Sequence, residues 1–320
     1  MAAPRPPAPV SVVRQLIPAD VLAELNQRRD GPGLLQLALH LAVLAAGAVV
    51  WGQRELALPL RLVGLLLLGA GLAFGFCAMH EAGHGTAFRR RWLNDGVAWW
   101  AGVLSFYNAD FYRRYHQWHH RYTHLVGLDP ELDDPPPHDR ASYLLELSGL
   151  SWWLGKLRGH LRGLRGDFSG CPYISPEAAP RVRRSLALQF MVYGLALLAS
   201  LLSGSGALWW YWLLPLAVGQ PLLRLVLMAE HGGCPFEPDG LRNTRTTLTI
   251  APLRWLMWNM PYHAEHHLIP SLPFHAAPRA HALLAPHLAT VAPGYLAVHR
   301  RFLADPAALA LPRPGALGAA

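Results

Sequence analysis

Four stretches of this 320-residue chain are apolar and long enough to cross a lipid bilayer, at residues 34–51, 62–79, 186–202 and 207–229. A transmembrane helix needs about 20 apolar residues, within a range of about 17 to 25. The alternative is a set of buried helices in a large soluble protein. Charged residues are only 15% of the chain, however, against about 25% in soluble proteins. The pattern therefore predicts an all-α integral membrane protein with a four-helix transmembrane bundle.

The remaining sequence divides around this bundle. Residues 1–29 begin with a Pro-rich segment and are expected to form a partly disordered N-terminal arm. Residues 30–290 form the predicted membrane domain, and residues 291–320 form a C-terminal tail. The segment at 97–107 (VAWWAGVLSFY) is apolar and aromatic but too short to span a bilayer. It predicts an interfacial helix, because Trp and Tyr favour the depth of the lipid headgroups.

The basic residues predict the orientation of the bundle. With four spans, the N-terminus, residues 80–185 and the segment after residue 229 share one side, and they contain 25 of the 28 Lys and Arg. Loops rich in Lys and Arg near membrane spans face the cytoplasm. We therefore expect a helical cap on the cytoplasmic side of a cytoplasmic or inner membrane. The formal net charge of +8 then follows from topology, and no nucleic-acid partner is expected.

Eight of the seventeen histidines fall into three five-residue windows, HEAGH at 80–84, HQWHH at 116–120 and HAEHH at 263–267. On a helix, residues three and four apart share one face, so each window directs its imidazoles to one place. Imidazoles gathered without a cation would repel each other when protonated and lose solvation when neutral. The windows therefore predict metal ligands. These are His80, His84, His116, His119, His120, His263, His266 and His267.

Eight imidazoles exceed the coordination of one ion, since a catalytic zinc takes three protein ligands and a water. Two metal ions are therefore expected, although imidazole suits Zn, Cu, Fe and Ni alike. A ninth candidate is His231, which stands at the end of the fourth apolar stretch as His80 stands at the end of the second. A histidine at such a membrane edge is a functional candidate, and we include it among the predicted ligands.

Carboxylates flank these histidines. Glu81, Glu230 and Glu265 adjoin predicted ligands and are candidates to orient imidazole rings, because metal-binding histidines usually donate their second N–H to an acceptor. Residues 127–140 contain five acids and three consecutive prolines. We expect them to form a solvated acidic loop.

Four further polar residues have a structural interpretation beside a functional one. His124, four residues after His120, is a candidate partner of the metal site. Asn259 is either a helix cap or a donor near the metal site. Gln220 and Arg224 lie within the fourth apolar stretch. They are expected to form interhelix hydrogen bonds, or to meet a polar substrate headgroup.

The first window alone permits a different function. HEAGH matches H-E-x-x-H, the signature in which two histidines bind zinc and the glutamate, here Glu81, is the base of a metalloprotease. An intramembrane zinc protease leaves the two HxxHH windows without a role, so this hypothesis ranks below the two-metal one. A membrane protein that binds metal without catalysis is a third possibility.

The order and spacing of the motifs resemble the membrane fatty acid desaturase family, which also contains hydroxylases and ketolases. The resemblance covers roughly residues 30–290. It is carried by MHEAGHGTAF at 79–88, WHHRYTH at 118–124, AEHGGCPFEPDGLRNTRTT at 229–247 and NMPYHAEHHLIPSLPFHA at 259–276. It implies a non-haem di-iron centre of two Fe ions held by the eight window histidines and His231, with O2 as co-substrate.

What the resemblance implies is an O2-dependent oxidoreductase of lipid metabolism, a fatty acyl desaturase that introduces a C=C bond. The first window has three intervening residues where many acyl desaturases have four. A hydroxylase or ketolase of a lipid or carotenoid therefore stays open. The chain has no G-x-G-x-x-G fingerprint, so electrons are expected from a separate carrier, a ferredoxin or cytochrome, and its reductase.

Overall fold

The computed structural model describes residues 9–134 and 136–309, and almost all of its regular structure is helical. The helices are α1 (Pro9–Leu16), α2 (Ala19–Leu25), α3 (Asp30–Gly52), α4 (Leu58–Gly83), α5 (Arg91–Ser105), α6 (Ala109–Tyr122), α7 (Arg140–Leu147), α8 (Leu150–Leu164), α9 (Ala179–Leu202), α10 (Leu214–His231), α11 (Ala251–Leu256), α12 (His263–Leu268), α13 (Ala277–Leu284) and α14 (Tyr295–Ala304). Two short parallel strands, β1 (Thr246–Thr247) and β2 (Val291–Ala292), pair Thr246 with Val291.

Four helices are long and apolar enough to cross a membrane, as the sequence predicts. They are α3, α4, α9 and the helix Trp209–His231, in which a π-helical turn at Trp209–Leu213 leads into α10. Each coincides with one predicted stretch and extends past one or both of its ends by one to seven residues. The two that carry predicted metal ligands, α4 and α10, end at Gly83 and His231.

Helix α4 is the centre of the bundle and packs against α3, α5 and α10. Small residues allow the close approach. A Cβ added at Gly219 of α10 would lie 2.0 Å from the carbonyl oxygen of Gly69 on α4, and one at Gly64 would lie 2.5 Å from the backbone nitrogen of Trp51 on α3. Small residues at such crossings are characteristic of membrane helix pairs. The contact fixes the ends of α4 and α10 side by side.

The outer faces of the long helices are apolar and exposed. Leu195, Leu198 and Leu202 on α9 are half to four-fifths exposed, and Leu35 and Leu41 on α3 are at least half exposed. A soluble monomer rarely presents apolar patches this continuous. These faces are consistent with contact with lipid hydrocarbon.

The polar side chain of Asn108 places helix α6, which carries the HQWHH window. Its Oδ1 accepts a hydrogen bond from the backbone nitrogen of Phe111 at 3.0 Å and caps the helix. Its Nδ2 donates to Gln189 Oε1 at 2.9 Å and to Ser185 Oγ at 3.1 Å, both on α9. The start of α6 is thereby tied to the third long helix.

The two ends of the chain also pack onto the helices around the site. Val13, Ile17 and Leu25 are buried in a cluster with Leu268 and Ile269, directly after the third histidine window. The sequence predicts a partly disordered arm at residues 1–29. Of these, residues 1–8 lie outside the described part of the chain.

At the other end, α14 packs on α10, with Val298 and Phe302 buried. His299 Nε2 donates to the carbonyl of Leu225 at 2.7 Å. The last part of the predicted tail, residues 310–320, is outside the described residues. The remainder of the tail is therefore part of the packed structure.

Candidate metal centre

The nine predicted histidines come from four helices. His80 and His84 stand at the end of α4, the HQWHH histidines lie on α6, His231 ends α10, and the HAEHH histidines form α12. Their rings converge into two adjoining groups.

The first group combines all three windows. One ring nitrogen from each of its five members lies within 4.8 Å of the others; the members are His80, His84, His116, His120 and His266. His116 Nε2 lies 2.8 Å from His80 Nε2 and 3.0 Å from His120 Nε2. His120 Nε2 lies 3.0 Å from His266 Nε2. We call these five residues group A.

The second group contains His231 and three window histidines, His119, His263 and His267, and we call it group B. His231 Nε2 lies 3.2 Å from His119 Nε2 and 3.2 Å from His263 Nε2. His263 Nε2 lies 3.1 Å from His267 Nε2. His231, the one candidate outside the windows, thus joins the other histidines.

Hydrogen bonding alone does not satisfy these nitrogens. A neutral imidazole nitrogen carries one hydrogen or one lone pair, yet the Nε2 atoms of His116, His120, His231 and His263 each face two other Nε2 atoms. Two nitrogens that bind one ion at about 2.1 Å are about 3.0 Å apart at a right angle. The observed spacings of 2.8 to 3.2 Å match that value. The residues present therefore fit one cation in each group.

Burial favours the neutral, ligating form of these rings. Burial lowers the pKa of the imidazole well below its ordinary value at six positions outside the long apolar helices. They are His84, His116, His120, His263, His266 and His267. His84 Nε2 is buried without a hydrogen-bond partner. The lone pairs of such rings are available to a cation.

Asp129 is the clearest correction to the sequence analysis. It was expected in a solvated loop, but it is 1% exposed. Its Oδ1 lies 2.8 Å from His119 Nδ1 and accepts from the backbone nitrogen of Glu131 at 3.0 Å, and its Oδ2 accepts from that of His124 at 2.8 Å. Burial lowers the pKa of His119, but the carboxylates of Asp129 and Glu131 outweigh it and raise that pKa to about 9.

Two other acceptors of group B have no signal in the sequence. The carbonyl oxygen of Asn243 lies 3.2 Å from His231 Nδ1, and Thr123 Oγ1 lies 3.2 Å from His267 Nδ1. Both contacts leave Nε2 facing the group. A partner for each ring was expected, but a backbone carbonyl and a hydroxyl cannot be assigned from spacing alone.

The three predicted orienting glutamates behave differently from one another. Glu81 Oε1 lies 3.4 Å from His80 Nδ1, and Glu230 Oε2 lies 3.5 Å from His263 Nε2. Glu265 instead accepts from Thr246 and lies 2.5 Å from His281 Nδ1. Its carboxylate therefore holds α12 against β1 and α13 rather than orienting a ring of groups A or B.

His124 and Asn259, the two candidates left undecided, have other partners. His124 Nδ1 lies 2.9 Å from the carbonyl of Pro235, and its ring stacks on Phe236. Asn259 Nδ2 donates to the carbonyl of Phe274 at 2.9 Å. Both side chains thus stabilise the segments around the two groups.

Arg224 joins α10 to the segment between α5 and α6 through a hydrogen bond to Tyr107. Its Nη2 donates to Tyr107 Oη at 2.9 Å, and Trp152 Nε1 donates to the same oxygen at 2.8 Å. Gln220 is fully buried, and neither atom of its amide has a hydrogen-bond partner among the described residues. A hydrogen bond between segments is thus found for Arg224 and, among the described residues, not for Gln220.

The zinc-protease hypothesis fits this geometry poorly. His80 and His84 share group A with histidines from both other windows, whereas a metalloprotease site needs an open position beside its few ligands. Glu81 is 3% exposed, and its carboxylate lies beside Thr86 and His80. The HEAGH segment is therefore one part of a larger histidine cluster.

Comparison with known proteins agrees with the motifs. The fatty acid desaturase family model matches residues 57–299. The sphingolipid delta(4)-desaturase/C4-monooxygenase DES2 of Rattus norvegicus is 28% identical over 222 residues, which are 65% of this chain and 62% of that protein. The Bos taurus protein of the same name is 30% identical over 223 residues, 63% of this chain and 60% of that protein.

A bacterial relative aligns over a longer range. The sn-1 oleoyl-lipid 12-desaturase of Picosynechococcus sp. is 26% identical over 266 residues, 75% of this chain and 74% of that protein. The alignments with the mammalian relatives span about three fifths of their length. The family match begins just before the second long helix, α4, and continues into α14. The chain belongs to the fatty acid desaturase family.

Proposed function

We propose that the protein is a membrane-bound, O2-dependent di-iron oxidoreductase that acts on a lipid acyl chain. One observation carries the proposal: nine imidazoles, seven of them buried and two (His84 and His120) half-buried, converge in two groups whose nitrogen spacing fits two cations better than hydrogen bonds. The proposed iron ligands are those of groups A and B: His80, His84, His116, His120 and His266, and His119, His231, His263 and His267.

The bound iron ions supply the activation of O2 that removal of hydrogen from an unactivated C–H bond requires. In a desaturation, the substrate gives two hydrogens with two electrons, an external donor gives two electrons, and two protons are taken up. O2 leaves as two waters. Among the described residues the five-histidine group contains no carboxylate, although Glu131 lies close to His116 and His119. Neutral rings in that group would leave the positive charge of bound ions available to attract oxygen ligands.

The residues of the chain orient and shield the site. Asp129, Asn243 and Thr123 accept hydrogen bonds from the Nδ1 side of three group B rings, which fixes the tautomer with a free Nε2. Phe76 and Tyr112 pack within 6.3 Å of the His80 ring, between ring centres. These aromatic side chains exclude water from the membrane side of group A, which favours C–H chemistry over side reactions.

The family and the relatives support a fatty acyl desaturase as the first choice. The second is a hydroxylase, and one observation favours it specifically: the name of the mammalian relatives includes C4-monooxygenase. A hydroxylation uses the same electrons and protons but leaves one oxygen in the product. The competing products differ by an oxygen atom and are readily distinguished.

We infer that the histidine groups face the cytoplasm, because the segments that carry them hold most of the basic residues. Electrons then come from a separate soluble or membrane-bound carrier on that side. A ferredoxin or a cytochrome with an acidic surface would be attracted by this basic face. A turnover rate that does not change with ionic strength would argue against such electrostatic docking.

The test is lipid mass spectrometry of cells with and without the protein. Acyl chains with two hydrogens fewer indicate desaturation, and chains with one oxygen more indicate hydroxylation. His266→Ala and His267→Ala should abolish the product and lower the iron content of the purified protein. His138→Ala is the matched control, since the side chain of His138 is largely exposed. Purified protein with one zinc and no iron would overturn the proposal.

A further inference from the structure

An apolar cavity of about 240 Å³ lies between α3, α4 and α5. Its wall includes Leu37 and Leu44 of α3, Gly71 and Gly75 of α4, and Trp100 of α5. The volume is slightly below the roughly 300 Å³ at which pockets for drug-sized ligands begin. It accommodates a segment of a hydrocarbon chain rather than a whole lipid.

Apart from the indole N–H of Trp100, the described side chains of the wall offer no free polar partner to a ligand. His40 is the one titratable side chain in its wall, and both of its ring nitrogens are used. His40 Nε2 donates to the carbonyl of Gly71 at 2.9 Å, and His40 Nδ1 accepts from Trp258 Nε1 at 3.3 Å. A ligand with hydrogen-bonding groups would lose solvation here without compensation. The chemistry of the wall therefore selects hydrocarbon.

The cavity and the histidine groups lie on opposite faces of α4. Gly71, Gly75 and Ala78 in the wall are spaced four and three residues apart and share one face. At about 100° per residue, His80, nine residues after Gly71, points to the other side of the helix. The body of α4 thus separates the cavity from group A.

The surroundings of the cavity indicate its occupant. Two of its three walls are candidate membrane-spanning helices. The third, α5, exposes Trp92 and Trp100, side chains that favour headgroup depth. Leu41, at the cavity wall on α3, is half exposed, so the wall continues into the surface that faces lipid. The hydrocarbon that meets this surface in a bilayer is the acyl chain of a lipid.

We propose that the cavity binds one acyl chain of a membrane lipid, separate from the chain that reacts at the histidine groups. The separation rests on the proposed function, whereas the binding of the chain does not. Bound lipid would fill the gap between α3, α4 and α5.

The test fills the cavity from a glycine. A Cβ added at Gly96, in the wall on α5, meets no heavy atom within 4 Å, so Gly96→Ala, Gly96→Leu and Gly96→Phe occupy the space in steps. Each replacement also favours the helix. Gly194→Phe on α9 is the matched control, because Gly194 is an equally open position in a long helix and is not part of the wall.

The probe is a phosphatidylcholine that carries a photoreactive diazirine near the end of one acyl chain, in nanodiscs with the full-length protein. We expect labelling of peptides at 37–44 and 96–104 in the wild type and in Gly194→Phe. Labelling should fall progressively from Gly96→Ala to Gly96→Phe. The proposal is overturned if these peptides are not labelled in the wild type. It is also overturned if they are labelled as strongly in Gly96→Phe as in the wild type.

Two further measurements separate this inference from the proposed function. His120→Ala should lose iron and product but keep the labelling of the cavity, and Gly96→Phe should keep iron and the position of the product bond. Loss of product by Gly96→Phe with its iron retained would show that the cavity holds the reacting chain, which overturns the separation. A wild type that forms no product would refute the proposed function while the labelling still tests the cavity.

Discussion

The hydrogen-bonding pattern of Asp129 makes Asp129→Asn a sharp perturbation of group B. The carboxylate accepts three hydrogen bonds, from His119 Nδ1 and the backbone nitrogens of Glu131 and His124. An amide has one oxygen, so its NH2 must face either His119 Nδ1 or the nitrogen of His124. In the first case the ring is driven to the tautomer with its hydrogen on Nε2, and in the second two donors oppose each other.

Each arrangement leaves at least one buried donor without an acceptor, which costs about 1–3 kcal/mol. Loss of a partner of a metal-binding histidine usually lowers metal affinity or activity by about 10- to 100-fold. We therefore expect Asp129→Asn to lose iron from one of its two sites at a chelator concentration about 10- to 100-fold below that for the wild type. The measurement is iron per protein, by elemental mass spectrometry, across a chelator titration, with product formation in parallel.

The matched control is Asp134→Asn, which removes one charge from an exposed position in the same loop. It should retain the chelator resistance of the wild type. The thermal midpoint of each protein separates a metal effect from general unfolding. The reasoning is refuted if Asp129→Asn holds both iron ions as tightly as Asp134→Asn does.

Two other predictions concern the pKa of Lys156 and the packing of α10 against α4. Burial lowers the pKa of Lys156 to about 7, with Arg224 nearby adding to the effect. Between about pH 7 and 10 the Lys156 amine is therefore protonated in the unfolded chain but not in the folded chain. The free energy of unfolding should decrease as the pH falls through that range. Lys156→Met should remove this slope in thermal unfolding followed against pH. Gly219→Val should separate α10 from Gly69 of α4 and abolish iron binding, because the added Cβ would lie 2.0 Å from a carbonyl oxygen, whereas Gly194→Val should not. Size-exclusion profiles and iron content are the measurements that compare Gly219→Val with Gly194→Val.

The pH prediction depends on the groups that face Lys156 from neighbouring elements. Its Nζ lies 4.3 Å from the centre of the Tyr107 ring, and Glu131 and Asp134 partly offset the effect of burial by raising its pKa. A slope that persists in Lys156→Met would assign the pH dependence to another group.

The positions of the long helices and of the histidines were predictable because each follows from local sequence. Apolar length marks a span, and the i, i+3, i+4 spacing puts the rings of HQWHH on one face of α6. His231 was predictable from its place at the end of α10, by analogy with His80 on α4.

The environment of the site was less predictable, because it depends on contacts between distant segments. Asp129 lies in a run of acids and prolines whose composition suggests solvent, yet ten residues of chain bring it to His119 Nδ1. The acceptors on Asn243 and Thr123 are a backbone carbonyl and a hydroxyl, which leave no composition signal. The division of HQWHH between the two groups, with His119 in one and His120 in the other, required the actual rotation of α6.

The chain order of the two groups constrains how the site can assemble during synthesis. Four of the five members of group A precede residue 121, so most of that cluster exists once the second long helix and α6 have been synthesised. Only His119 of group B is present at that stage, because His231 ends the fourth long helix and His263 and His267 come after it. If each group binds an ion as proposed, a half-inserted chain already carries most of the ligands for the first ion, whereas the ligands for the second are complete only when the last segment has been synthesised.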